Sequence, residues 1–205
     1  MSLTRRAALF GLTATVLTAC VGGATFKTDY ALVPPELTNS WRVAEVRVDV
    51  PRSLSVSEAK TLLPSADIVW REDPLGDRHE QVRKIIETAV QRGSQGLKGQ
   101  RPVVIDVVVT RFHALTFEAE QSGNDWGVHN IDLNVRVLDA KTGAVLLPTS
   151  PIRAELPALS GAQMREARRK GMTQKSMITN HVANTIAGWL RLGPDNRGTF
   201  SRQGN

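Results

Sequence analysis

The sequence predicts an α/β fold, an α+β sandwich in which helices pack on one face of a mostly antiparallel sheet of about four to five strands. Three observations predict it. Val46, Val48 and Val50, and again Ile131, Leu133, Val135 and Val137, alternate with polar residues at the period of half-buried strands. Val82, Ile85, Ile86, Ala89 and Val90 recur at helical spacing, as do Ile178, Val182, Thr185, Ile186 and Trp189. Asp139-Ala140-Lys141-Thr142-Gly143 lies between two apolar runs and reads as a hairpin turn, with Gly143 supplying a positive φ. The expected order is β-α-β-α-β-β-β-α in a single domain spanning residues 41–193.

Residues 41–50 form the first expected strand. Trp41 and Val43 fall on the opposite parity from Val46, which places a bulge near Ala44. Pro51 ends the run. Residues 55–63 read as a short helix capped by Ser55 or Ser57. Residues 67–70 read as a brief strand between Pro64 and Pro74. Asp77 and Glu80 open the clearest helix in capping-box spacing, and Gly93 reads as its stop. Residues 103–112 are apolar on nearly both faces, as in a central strand, with Asp106 as the interruption. Residues 118–127 form a polar tip ahead of the strand at 131–137. The return strand begins at 144–147, where Pro148 and Pro151 impose an edge or a break before it resumes at 152–156. Residues 160–192 close the domain as helix, divided at Gly171 and ended by Gly193-Pro194. Trp41, Trp70 and Trp189 sit in apolar patterns and belong to the core. Residues 194–205 read as a disordered polar tail.

The first forty residues have another character. Arg5 and Arg6 precede an apolar stretch at 7–19 that ends in small residues, the layout of a secretory signal. The stretch is shorter than the roughly 20 apolar residues that span a bilayer. Leu17-Thr18-Ala19-Cys20 follows, with the only cysteine of the chain. This ending resembles the lipobox of bacterial lipoproteins. That resemblance implies cleavage before Cys20, which removes residues 1–19, and acylation of the Cys20 thiol. Thr4-Arg5-Arg6-Ala7-Ala8-Leu9 also resembles part of a twin-arginine export signal, beside the plainer reading as a positive n-region. Val21 stands where an inner-membrane lipoprotein of an enteric bacterium would carry Asp. For a Gram-negative source this favours the periplasmic face of the outer membrane. Residues 20–40, with Gly22-Gly23 and Pro34-Pro35, read as the lipidated N-terminus and a tether.

Composition narrows the chemistry. Loss of Arg5 and Arg6 takes the formal charge from +6 to +4, a mild bias that suits anionic headgroups and argues against nucleic acid. With Cys20 acylated no thiol remains for disulfides, catalysis or metal. The histidines His79, His113, His129 and His181 form no HExxH pair, and no metal or cofactor is expected. His79 reads as solvent-exposed. His113 and His129 flank the tip and are placed to approach each other across the hairpin, and His181 reads as a packing histidine. Glu118 and Glu120 would share one face of a strand and imitate the paired carboxylates of a glycosidase. No Gly-x-Ser-x-Gly elbow or phosphate-cradling loop is present. The sharpest surface feature is the basic run Arg165, Arg168, Arg169, Lys170 and Lys175, either a site for anionic lipid or an acidic partner or a solvated helix face. Trp126 either contacts a partner from the polar tip or packs inward at the start of the next strand.

Residues 67–190 resemble small proteobacterial outer-membrane lipoproteins of uncharacterised function. The likeness is carried by Asp67-Ile68-Val69-Trp70, Asp73-Pro74-Leu75-Gly76-Asp77-Arg78, Val137-Leu138-Asp139-Ala140-Lys141-Thr142-Gly143 and Gly171-Met172-Thr173-Gln174. It implies no catalytic residues. The expected function is a lipid-anchored, non-catalytic binding or accessory module for an envelope complex, meeting a protein partner through the 118–127 tip or the 165–175 face. The alternatives are an auxiliary or carrier lipoprotein of a lipid or ABC-type transport system, which requires an apolar groove, and a hydrolase using the tip carboxylates.

Overall fold

β-Branched side chains at alternate positions build the centre of the sheet. The computed structural model describes residues 25–122 and 127–201. Its elements are β1 (Phe26–Tyr30), α1 (Pro35–Thr38), β2 (Trp41–Asp49), β3 (Ile68–Val69), α2 (Arg78–Ser94), β4 (Arg101–His113), α3 (Phe117–Gln121), β5 (Gly127–Asp139), β6 (Val145–Ala154), β7 (Leu156–Ala158), α4 (Gly161–Arg169), α5 (Gln174–Trp189) and β8 (Gly198–Phe200). The sheet runs β2-β4-β5-β6-β1-β8, with β3 also beside β4 and β7 beside β5. At eight strands it is larger than the sequence predicts. It is also mixed, because β2 and β3 lie parallel to β4 while the other pairs are antiparallel.

On β4 and β5 the residues Val103, Ile105, Val107 and Val109, and Ile131, Leu133, Val135 and Val137, are buried on one face. Helices α2 and α5 cover that face with Val82, Ile86, Ile178, Val182 and Ile186. The burial of these side chains supplies most of the driving force, at about 25 cal/mol per Å² of apolar surface. Trp41, Trp70 and Trp189 are core residues as expected, and Trp70 meets Phe112 edge-on at 5.7 Å. Gly93, read from the sequence as a stop, lies inside α2 and is buried. A Cβ there would stand 2.8 Å from Ile186 Cβ, so its smallness sets the approach of α2 to α5.

Several local expectations hold. The β2–β4 register shifts between Val43 and Glu45, the bulge placed near Ala44. Asp77 caps α2 by accepting from Glu80 N. Gly171, at φ 76°, separates α4 from α5, and Thr173 with Ser176 forms a capping box for α5. Gly143 takes φ 73° in the 139–144 turn. The prolines fall in the part of β6 that β1 does not reach, since β1 pairs only with Ile152, Arg153 and Ala154.

Three segments differ. Residues 55–63 form no helix. Asp67 Oδ2 accepts from Ser55 N and Oγ at 2.8 and 2.7 Å, and Val56 bridges Ile68, so the backbone is engaged with β3 instead. Residues 26–30, inside the expected tether, form β1 beside β6, with Thr28 and Tyr30 buried. Residues 198–200, inside the expected disordered tail, form β8 beside β1. Tyr30 Oη donates to Asn196 Oδ1 at 2.9 Å, and Arg197 lies 5.5 Å over the Tyr30 ring, so the two end segments hold each other. Among the described residues no helix is long and apolar enough to cross a membrane.

Candidate functional site

Helices cover one face of the sheet, and the other is built from the outward residues of β2, β4, β5, β6 and β1. At its β2 end the outward side chains pair. Glu45 meets Arg47 at 2.9 Å, and Asp106 on β4 meets Arg136 on β5 at 2.6 Å. Further along, the β4–β5 register shifts between Val109 and Arg111. This bulge keeps Phe112 inward and turns Arg111 and His113 outward, opposite Asp132 and Asn130.

The polar groups at this far end are incompletely satisfied. Arg111 and Asp132 are cross-strand partners yet form no ion pair, and Arg111 Nε and Asp132 Oδ1 are buried without a hydrogen bond among the described residues. Burial pushes the Asp132 carboxyl up, against the pull of Arg153 and Arg111. His113 Nε2 contacts the Ala66 carbonyl, and its Nδ1 lies 3.3 Å from Arg111 Nη2. Burial pushes the His113 pKa down, which favours a neutral ring donating from Nε2 and accepting at Nδ1. Asn130 Nδ2 donates to Glu155 Oε1 at 2.7 Å, while its Oδ1 has no partner among the described residues.

Three of these residues, Arg111, His113 and Asn130, border a half-open groove of about 290 Å³, close to the lower bound of small-ligand sites. Arg111, His113 and Asn130 form its polar wall, and Leu62, Leu63, Val69, Leu115 and Val128 supply apolar lining. Phe26 of β1 also lines it. Leu62 and Leu63 are 49% and 77% exposed, and their loop is fixed by Thr116 Oγ1, which donates to Thr61 O at 2.8 Å. The groove is thus polar on one wall and apolar on the other.

The residues singled out from sequence are placed differently. Cys20 and Trp126 lie outside the described residues. Arg168 is drawn between Glu72 at 3.0 Å and Glu120 at 2.9 Å. Arg169 and Lys170 pair with Glu166, and Lys175 with Asp73. Arg165 alone of this run has no ion pair among the described residues. Four of the five cations are therefore neutralised within the domain, and Arg168 ties α4 to α3 and to the β3–α2 connection. Glu118 and Glu120 lie on helix α3 rather than on a strand, so they do not share a face, and Glu120 is engaged by Arg168 and Gln174.

The histidines also separate. His129 points into the core, opposite in face to His113, and is fully buried, with both ring nitrogens unpartnered among the described residues. Its neighbour is His181, which shares a 3.0 Å hydrogen bond with Thr28 Oγ1 in the expected packing role. Burial, with a smaller contribution from His181, takes the His129 pKa to about 3, and burial takes His181 to about 4. His79 is half-buried against Leu54 O rather than solvent-exposed. No group of three metal-binding side chains occurs among the described residues.

A family profile matches residues 41–205, most of the sheet and all the groove walls except Phe26. The chain belongs to DUF6778, a family of unknown function. No curated protein matches the sequence. Among solved structures, this DUF6778 chain is similar to the PelC dodecamer protein of Paraburkholderia phytofirmans, at 13% identity and TM-score 0.34, over 80% of this chain and 97% of that one. An uncharacterized protein matches at 15% identity and TM-score 0.40, over 75% and 91%. A Caulobacter crescentus protein described provisionally as a lipoprotein matches at 12% identity and TM-score 0.31, over 70% and 90%.

Proposed function

We propose that this DUF6778 protein is a non-catalytic binding module, held by a lipid on Cys20 at the periplasmic face of the outer membrane, that meets its ligand or envelope partner across the open face of the sheet. The anchor rests on the signal layout and Leu17-Thr18-Ala19-Cys20. The observation that carries the binding role is the set of buried, unpartnered atoms on Arg111, Asn130 and Asp132 beside a groove. Each such group costs about 1–3 kcal/mol when left unsatisfied. The same strands close an equivalent pair at Asp106 and Arg136, so open groups at the far end are what a ligand would satisfy. The groove favours a carrier variant of this reading, in which the bound species is a lipid.

The test combines two changes. Cys20→Ser is expected to move the protein to the soluble fraction or leave the precursor uncleaved, and a mature, membrane-bound variant would refute the anchor. A photo-reactive residue in place of Thr110, exposed on the open face, is expected to crosslink one defined protein or lipid in intact cells. The same residue at Lys84, exposed on α2, should not. Equal capture at both positions would remove the open face as the binding surface.

A further inference from the structure

The length of chain between Cys20 and the folded domain places the groove relative to a membrane. The first strand begins at Phe26, six residues after Cys20, and Phe26 lines the groove. Six residue steps span at most roughly 20 Å of extended chain. If Cys20 carries the anchor, the groove lies within that distance of the lipid surface, whereas a tether to residue 40 would allow several times more. Its rim carries Leu62 and Leu63, large apolar side chains turned to solvent, with Phe117, 40% exposed, beside the Thr116 that holds their loop. Large exposed apolar side chains grouped at a groove mouth mark a lipid or protein contact rather than scattered surface residues.

The groove lining divides by chemistry. Leu62, Leu63, Leu115 and Val128 suit a hydrocarbon chain, and Arg111 offers a cationic donor with a buried, unpartnered Nε and no ion pair. A guanidinium in that state matches a phosphate or carboxylate oxygen, with which it forms short charge-assisted hydrogen bonds. Resting on the anchor reading above, we propose that the groove takes up one acyl chain of an anionic phospholipid from the membrane that holds the protein, with Leu62 and Leu63 seated at the interface and Arg111 on the phosphate.

The experiment uses the intact protein purified from membranes and returned to vesicles that carry a photo-reactive group in the phospholipid acyl chain. In phosphatidylglycerol vesicles, adducts are expected on the segments holding Leu62, Leu63, Leu115 and Val128. The same photo-reactive acyl chain on diacylglycerol, which has no phosphate, dispersed in those vesicles should give roughly tenfold fewer, as loss of a charge-assisted hydrogen bond implies. Arg111→Gln should erase that preference. Leu62→Gln with Leu63→Gln, both exposed and so without cost to folding, should lower labelling from either lipid. Adducts elsewhere, or equal labelling from both lipids by the native chain, would overturn the proposal. The mass of the purified chain reads the anchor separately. An acylated Cys20 with an unlabelled groove overturns the lipid site and spares the anchor. An unmodified Cys20 with a labelled groove overturns the anchor and spares the site.

Discussion

Two arginine–aspartate pairs face each other across the same two strands, and only one of them is closed. Asp106 on β4 and Arg136 on β5 meet at 2.6 Å, while Arg111 and Asp132, further along the same face, stand opposite each other without an ion pair. The difference lies in the backbone between them. The register shift after Val109 changes the twist and the aim of Arg111, and the loop carrying Leu62 and Leu63 then roofs that end of the face. The first pair is closed, and the second leaves Arg111 Nε and Asp132 Oδ1 buried without being satisfied by the described residues. A sheet face can thus be structural at one end and receptive at the other with the same residue types.

The largest expected contrast is between adjacent residues that point to opposite faces. Ile105 is fully buried under α2 and α5, and Ile105→Ala is expected to cost about 3–4 kcal/mol in denaturant unfolding. Asp106→Ala, one residue on, removes only a surface ion pair and is expected to cost about 1 kcal/mol or less. Comparable losses would mean that the open face contributes to stability like a core, and the division of the sheet into a packed and a receptive face would fail.

A second contrast concerns the buried polar groups on the helix side, His129 and His181. Their pKa values in the folded protein, about 3 and about 4, lie below the ordinary histidine value, so the unfolded chain binds more protons between about pH 4 and 6.5. Stability is therefore fully present above pH 6.5 and falls as the pH drops through that window. For His129 alone the loss is roughly 2 kcal/mol between pH 6.5 and 4.5, from about 1.4 kcal/mol per pH unit per proton. Unfolding midpoints across that range, measured for the native protein and for His129→Leu, check it. The native curve should fall more steeply on acidification, and parallel curves would show that His129 is not held neutral by burial.

The parts of this fold that are legible in sequence are those decided within one element. The stripe Val82 to Val90, the alternation Ile131 to Val137, the Asp77 cap and the Gly143 turn each depend on near neighbours. Residues 55–63 escaped because their backbone partners, Asp67 and Ile68, lie across a loop. β1 did carry a period-two signal in Phe26, Thr28 and Tyr30, but it is short and lies between Gly22-Gly23 and Pro34-Pro35, which argue for a tether. The ion pairs of the basic run were hidden for a related reason. Glu166 sits within reach on the same helix, yet Glu72 and Glu120, which hold Arg168, are far away in the chain. The groove was invisible because Arg111, Asn130 and Asp132 read as ordinary outward polar residues until register sets them side by side.

The smallest expected effect tests the open pair itself. Burial raises the Asp132 pKa above its unfolded value, so the ionised carboxylate at neutral pH works against folding. The sign follows from proton counts: between the ordinary value and the raised one the folded state holds more proton, and stability declines as the pH rises through that interval. Asp132→Asn removes the charge and keeps the shape. It is expected to be neutral or stabilising by about 1 kcal/mol at pH 7, with the gain vanishing in acid, because charges kept at binding sites commonly cost stability. Asp106→Asn, measured alongside, should show no such gain, since its carboxylate is already paired with Arg136. If Asp132→Asn were destabilising at neutral pH, the Asp132 carboxylate would be a paired structural group, and the contrast between the two ends of the face would disappear.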